Sequence, residues 1–91
     1  MLYPFMKYFD GTDIVVSDIF FMEEDDNKHI KVFFERVDKT GEHFDSMECV
    51  LPGAKMQNVK GFTESEVKMF TEKIKRYESM IFEWSEEEGH Y

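Results

Sequence analysis

Basic residues are scarce in this chain. Eleven Lys and Arg stand against twenty Asp and Glu, and the net charge is −9 over 91 residues. Binding to phosphates is driven by clustered cations that release condensed counterions. The densest basic run, Lys73, Lys75 and Arg76, lies between glutamates. No direct contact with nucleic acid or with an anionic membrane is therefore expected, whereas an acidic surface steers a basic protein toward it. Cysteine is almost absent. Cys49 stands alone, which excludes an internal disulfide and argues against a thiolate metal site. Met1-Leu2-Tyr3-Pro4 carries no basic stretch followed by an apolar one, so no secretory leader is read here. A reducing cytoplasm is the expected compartment. Long apolar runs are missing too: the longest, Ile19-Phe20-Phe21-Met22, is far short of the roughly 20 residues of a membrane-spanning helix.

Aromatics, by contrast, are abundant. Ten Phe, four Tyr and one Trp make up 16% of the residues. A domain of this length buries only about 60–65% of its unfolded surface, and aromatic side chains build a modest core from few residues. Residues 1–91 are read as a single domain, with strands within 1–60 and a helix after them. The few glycines and prolines mark the turns. Asp10-Gly11-Thr12-Asp13 separates a β-prone segment, 3–9, from an apolar one, 14–22, read as one strand. Asp38-Lys39-Thr40-Gly41 joins a strand at 29–37 to its partner at 42–51, with Gly41 in the left-handed position of the turn. That hairpin is expected to set His43 opposite Arg36. Pro52-Gly53 ends the returning strand, and 54–60 reads as a more polar extended segment.

The helix is the most fully signalled element. Thr63 followed three residues on by Glu66 is a capping box, and Phe62 before it suits a hydrophobic staple onto Val67. Val67, Phe70, Ile74, Tyr77, Ile81 and Trp84 then recur at spacings of three and four, one continuous stripe. The spacing predicts a helix over about 64–86, with Met69, Met80 and Phe82 off the stripe. The fold class is α+β: an antiparallel sheet of four or five strands with one long C-terminal helix packed on one face. Glu86-Glu87-Glu88 oppose the helix dipole, so residues 87–91 are expected to form a frayed tail.

Alternation assigns Ile14, Val16, Phe20 and Met22 to one sheet face, and Ile30, Val32 and Phe34 to one face of the next strand. The opposite face is not polar, as a wet antiparallel face normally is. One helix covers one face only. Val15, Ile19, Phe21, Phe33, Val37 and Met47 are the expected interaction surface, and a homodimer is the expected way of covering it.

No catalytic, cofactor-binding or metal residues are assigned. His29 and His43 open different strands, and His90 lies in the tail, so the three do not share a metal. Glu23-Glu24-Asp25-Asp26-Asn27 lacks the glycine of a calcium loop. Cys49 has no neighbouring His or cation and reads as a small core residue.

Gly61-Phe62-Thr63-Glu64-Ser65-Glu66-Val67, with Tyr77, Ile81 and Trp84 downstream, resembles the C-terminal half of a group of small bacterial proteins of unknown function. Asp10-Gly11-Thr12-Asp13-Ile14 and Lys28-His29-Ile30-Lys31-Val32 resemble their early strands. Members often carry a second histidine where this chain has Lys31, and some lie beside toxin–antitoxin genes. The resemblance implies strands first and one helix last, and brings no catalytic residues. The expected function is a non-enzymatic interaction module, an antitoxin-like or inhibitory acidic binder of a basic protein. The alternative is a small-molecule-binding domain or enzyme with a pocket between sheet and helix.

Overall fold

The computed structural model describes residues 1–91, in which seven elements follow one another: β1 (Leu2–Lys7), β2 (Asp13–Ser17), β3 (Phe20–Phe21), β4 (Lys28–Val37), β5 (Phe44–Leu51), β6 (Gln57–Lys60) and α1 (Glu64–Glu87). The strands form one antiparallel sheet in the order β1-β2-β4-β5-β6, with the two-residue β3 pairing the start of β4. The α+β architecture read from the sequence is the one observed. No helix is long and apolar enough to cross a membrane.

β4 is the spine. It pairs β2 on one side, through Ile14↔Phe34 and Val16↔Val32, and β5 on the other, through Ile30↔Leu51, Val32↔Cys49 and Phe34↔Met47. Paired residues point the same way, so these rows form one apolar face, and α1 lies on it. Phe70, Ile74 and Ile81 from the helix are fully buried there. Phe70 is the centre of an aromatic cluster, with the rings of Tyr8, Phe34 and Phe62 at 5.2, 5.5 and 5.8 Å. Off the stripe, Met80 is exposed as expected, whereas Met69 and Phe82 pack against the core margin.

Three sequence expectations are corrected by this packing. The strand read over 14–22 breaks at Ser17. The Ser17 hydroxyl accepts from the Lys31 amide at 2.9 Å and donates to the Asp18 carbonyl at 2.8 Å, in place of a regular ladder partner. The break resets the alternation, and Ile19 turns into the core. Met47 is likewise core, at 2% exposure, because it pairs Phe34 on the helix side. The hairpin register places Arg36 opposite Asp45 rather than His43. That shift of two residues leaves every side chain on the same face.

Both helix ends are closed. Thr63 Oγ1 accepts from the Glu66 amide at 3.2 Å, and the Thr63 amide donates to Glu66 Oε1 at 2.9 Å, the reciprocal capping box. At the other end the expected frayed tail is instead docked. Gly89 adopts φ 71°; its amide donates to the Glu86 carbonyl at 3.2 Å, and the His90 amide to the Ser85 carbonyl at 2.9 Å. These are the two bonds of a Schellman motif, which satisfies carbonyls the helix would otherwise leave open. His90 then stacks flat on Tyr3, ring centroids 3.5 Å apart, with Trp84 edge-on at 5.1 Å. Its carbonyl accepts from the Ile19 amide at 2.7 Å.

Thr63→Ala is expected to cost about 1 kcal/mol in denaturant unfolding by removing the cap. Gly89→Ala meets no side chain or backbone within 4 Å, so its cost is backbone strain alone, again about 1 kcal/mol. A stability unchanged by either substitution would remove that cap from the account.

Candidate functional site

A cleft of about 630 Å³ opens where the helix begins, and Arg36 at the end of β4 lies in its wall beside Asp10, Asp45 and Glu66. The Arg36 side chain is 14% exposed. Its Nε donates to Asp45 Oδ2 at 2.9 Å and one terminal nitrogen donates to Asp10 Oδ2 at 2.8 Å. Glu66 is held in a fork by both terminal nitrogens. The guanidinium also stacks over Phe62 at 4.2 Å, the ring expected to staple onto Val67. Arg36 holds Glu66 down to about 2, with help from the Thr63 amide. Burial raises Asp10, but hydrogen bonds from Thr12 and Arg36 outweigh it and leave that carboxyl below its ordinary value. Neither acid has a proton to give near neutrality, and the cation is satisfied. The cluster is a structural clasp, tying the β1–β2 turn, β4, β5 and the start of α1. Gly61 makes room for it: at φ +84°, a Cβ there would sit 1.8 Å from Asp45 Oδ1.

The interlayer space between sheet and helix, where a small-molecule pocket was the alternative, is filled by Phe34, Phe70, Ile74 and Ile81. Cys49 is in this layer too, and burial raises its thiol to about 12, so it is no nucleophile near neutrality.

The six expected surface residues are divided by the structure. Val15, Phe33 and Val37 lie on the sheet face turned away from α1, joined by Phe44 and Val50. Val37 and Phe44 pair directly and are each 56% exposed. Ile19 and Met47 are withdrawn into the core. Phe21 is exposed, but at one end of the molecule.

That end is strongly acidic. The β3–β4 turn carries Glu23, Glu24, Asp25 and Asp26, and the helix ends in Glu86, Glu87 and Glu88. Lys28 joins the two segments by bonding Glu86, which raises its own pKa. It is the cation that the last turn of the helix lacks. Asp25 receives a 3.0 Å contact from His29 Nε2, which lowers its pKa. His29 is buried beside the Phe20 ring, so its part is to hold the turn. Phe21, Met22 and Tyr91 stand exposed among these carboxylates, and Lys28 Nζ lies 5.8 Å from the Tyr91 ring. Sequence reasoning saw both acidic runs but not that they meet. The one signal was Lys28, a lone cation at the edge of the first run.

The clasp has a pH signature. The Glu66 carboxyl is depressed on folding, so its contribution is complete above its ordinary value of 4.5 and is lost as pH falls toward about 2. Arg36→Leu leaves three carboxylates facing one another. Its stability deficit relative to the parent should be largest near neutrality and shrink toward pH 2, measured by chemical unfolding across that range. A deficit independent of pH would mean that Arg36 acts through packing alone. No family model, no curated protein and no solved structure matches the chain.

Proposed function

We propose that this protein is a non-enzymatic interaction module of the cytoplasm that holds a basic segment of a partner protein at its acidic end, in the manner of an antitoxin or inhibitor. The observation that carries this reading is the convergence of the β3–β4 turn and the helix C-terminus. Glu23, Glu24, Asp26, Glu87 and Glu88 are exposed there with no salt bridge of their own. Lys28, the cation between them, is already engaged by Glu86. A surface of one sign raises the encounter rate with a cation-rich partner. Phe21, Met22 and Tyr91 add what charge alone lacks: aromatic faces for Lys or Arg and a soft apolar contact in Met22. The same field repels nucleic acid and anionic membranes.

The test is an NMR titration of the ¹⁵N-labelled protein with an Arg/Lys-rich peptide, against a neutral peptide of equal length. Shifts confined to residues 21–28 and 86–91, with affinity falling as salt rises, are expected. Replacing Glu23, Glu24, Asp26 and Glu87 by their amides should weaken binding at least about tenfold. Shifts centred elsewhere, or affinity indifferent to the four amides, would overturn the reading.

A further inference from the structure

We propose that the sheet face turned away from α1 is a homodimer interface, occupied by a second copy of this chain. This surface is separate from the acidic end, so the proposal stands or falls independently of binding to a basic segment.

Charge selects the occupant. By register, the face carries Lys7, Lys31 and Lys60 with Asp13, Glu35 and Glu48. It therefore has no net charge, although the protein carries −9. Lys7 pairs with Asp13 and Lys31 with Glu48. Between these pairs lie Val15 and Phe33, partnered directly, the exposed Val37–Phe44 pair, and Val50. Two copies of a strongly negative protein repel over most of their surfaces. Here they can meet without placing an excess of one sign against itself. A basic partner gains nothing from this face, whereas a twofold contact, in which the same patch meets itself, needs a surface that is locally neutral.

The dimensions fit. Strands of 6, 5, 10, 8 and 4 residues, about 4.8 Å apart and rising about 3.4 Å per residue, cover roughly 540 Å² of flat face. Two copies meeting there bury about 1,100 Å² in total, just above the roughly 1,000 Å² that a specific interface needs. Association through the sheet edges is disfavoured by the edges themselves. β1 contains Pro4 and a bulge, and β6 has four residues, follows a register shift and holds Asn58 at φ 52°. Such features block strand addition.

Sedimentation equilibrium of the full chain is expected to give twice the 10.9 kDa chain mass at micromolar concentration. Phe33→Glu should give monomer with unchanged helix content. Val37→Lys, at a more exposed position that leaves the core untouched, should do the same. Met80→Glu on the outer side of the helix should leave the dimer intact. Salt should tighten the dimer, because it screens the repulsion of two like-charged copies, the opposite of its effect on a basic ligand. A monomeric parent protein at about 100 μM, a dimer that survives both face substitutions, or one broken only by Met80→Glu would overturn the proposal.

Discussion

The Arg36 guanidinium is the contact on which the arrangement of sheet and helix most depends. It draws together carboxylates from three segments far apart in sequence, and each pairing fixes a different geometric choice. Asp45 sets the β4–β5 register where the hairpin opens, Asp10 closes the β1–β2 turn over the sheet end, and Glu66 anchors the first turn of α1. Glu66 serves twice, as clasp to Arg36 and as half of the capping box. The start of the helix is thus set by one side chain that reads both the local chain and the sheet. An arginine this enclosed is tolerated only because its donors are met, and the surplus of acid in the chain supplies the partners.

A second ion pair, Lys28 with Glu86, repeats the arrangement at the opposite end of β4. Lys28 and Arg36 lie roughly 27 Å apart along the strand, and Glu66 and Glu86 roughly 30 Å apart along the helix. The lengths match, so the helix runs antiparallel to β4 and is held at both ends by its own acids. This direction carries Glu86–Glu88 to the same end as the acidic β3–β4 turn. The segregation of charge into an acidic end and a neutral sheet face therefore follows from how the helix is pinned, rather than from composition alone.

The two faces of the sheet differ for a related reason. The helix covers the rows built on Ile30, Val32 and Phe34, and the bend at Ser17 adds Ile19 to that layer. What remains on the other face is a narrower apolar strip flanked by ion pairs. It carries the Phe33 and Phe44 rings and, by register, as many acidic as basic side chains. The acidic end has the complementary properties: a long-range field with a few exposed rings.

The sequence by itself determined what depends on neighbours along the chain. The helix was legible to within a residue or two, because capping and a 3.6-residue stripe are local, and Thr63, Glu66, Phe70, Ile74 and Ile81 occupy the places that pattern assigns. The antiparallel sheet and the presence of a hairpin after Val37 were legible for the same reason, although its loop runs over 38–43 and not 38–41, and so was the sign of the charge. The tertiary structure decided what depends on distant partners. Ser17 breaks a run that looks continuous only because Lys31, fourteen residues on, donates to its hydroxyl. The tail docks although its glutamates oppose the dipole, because Tyr3, Trp84 and the Ile19 amide receive His90, and Lys28 answers Glu86. Periodicity and capping are one-dimensional and can be read in order. Cross-strand pairing, ion-pair partners and the meeting of two acidic runs are contacts across the fold, and no local pattern announces them.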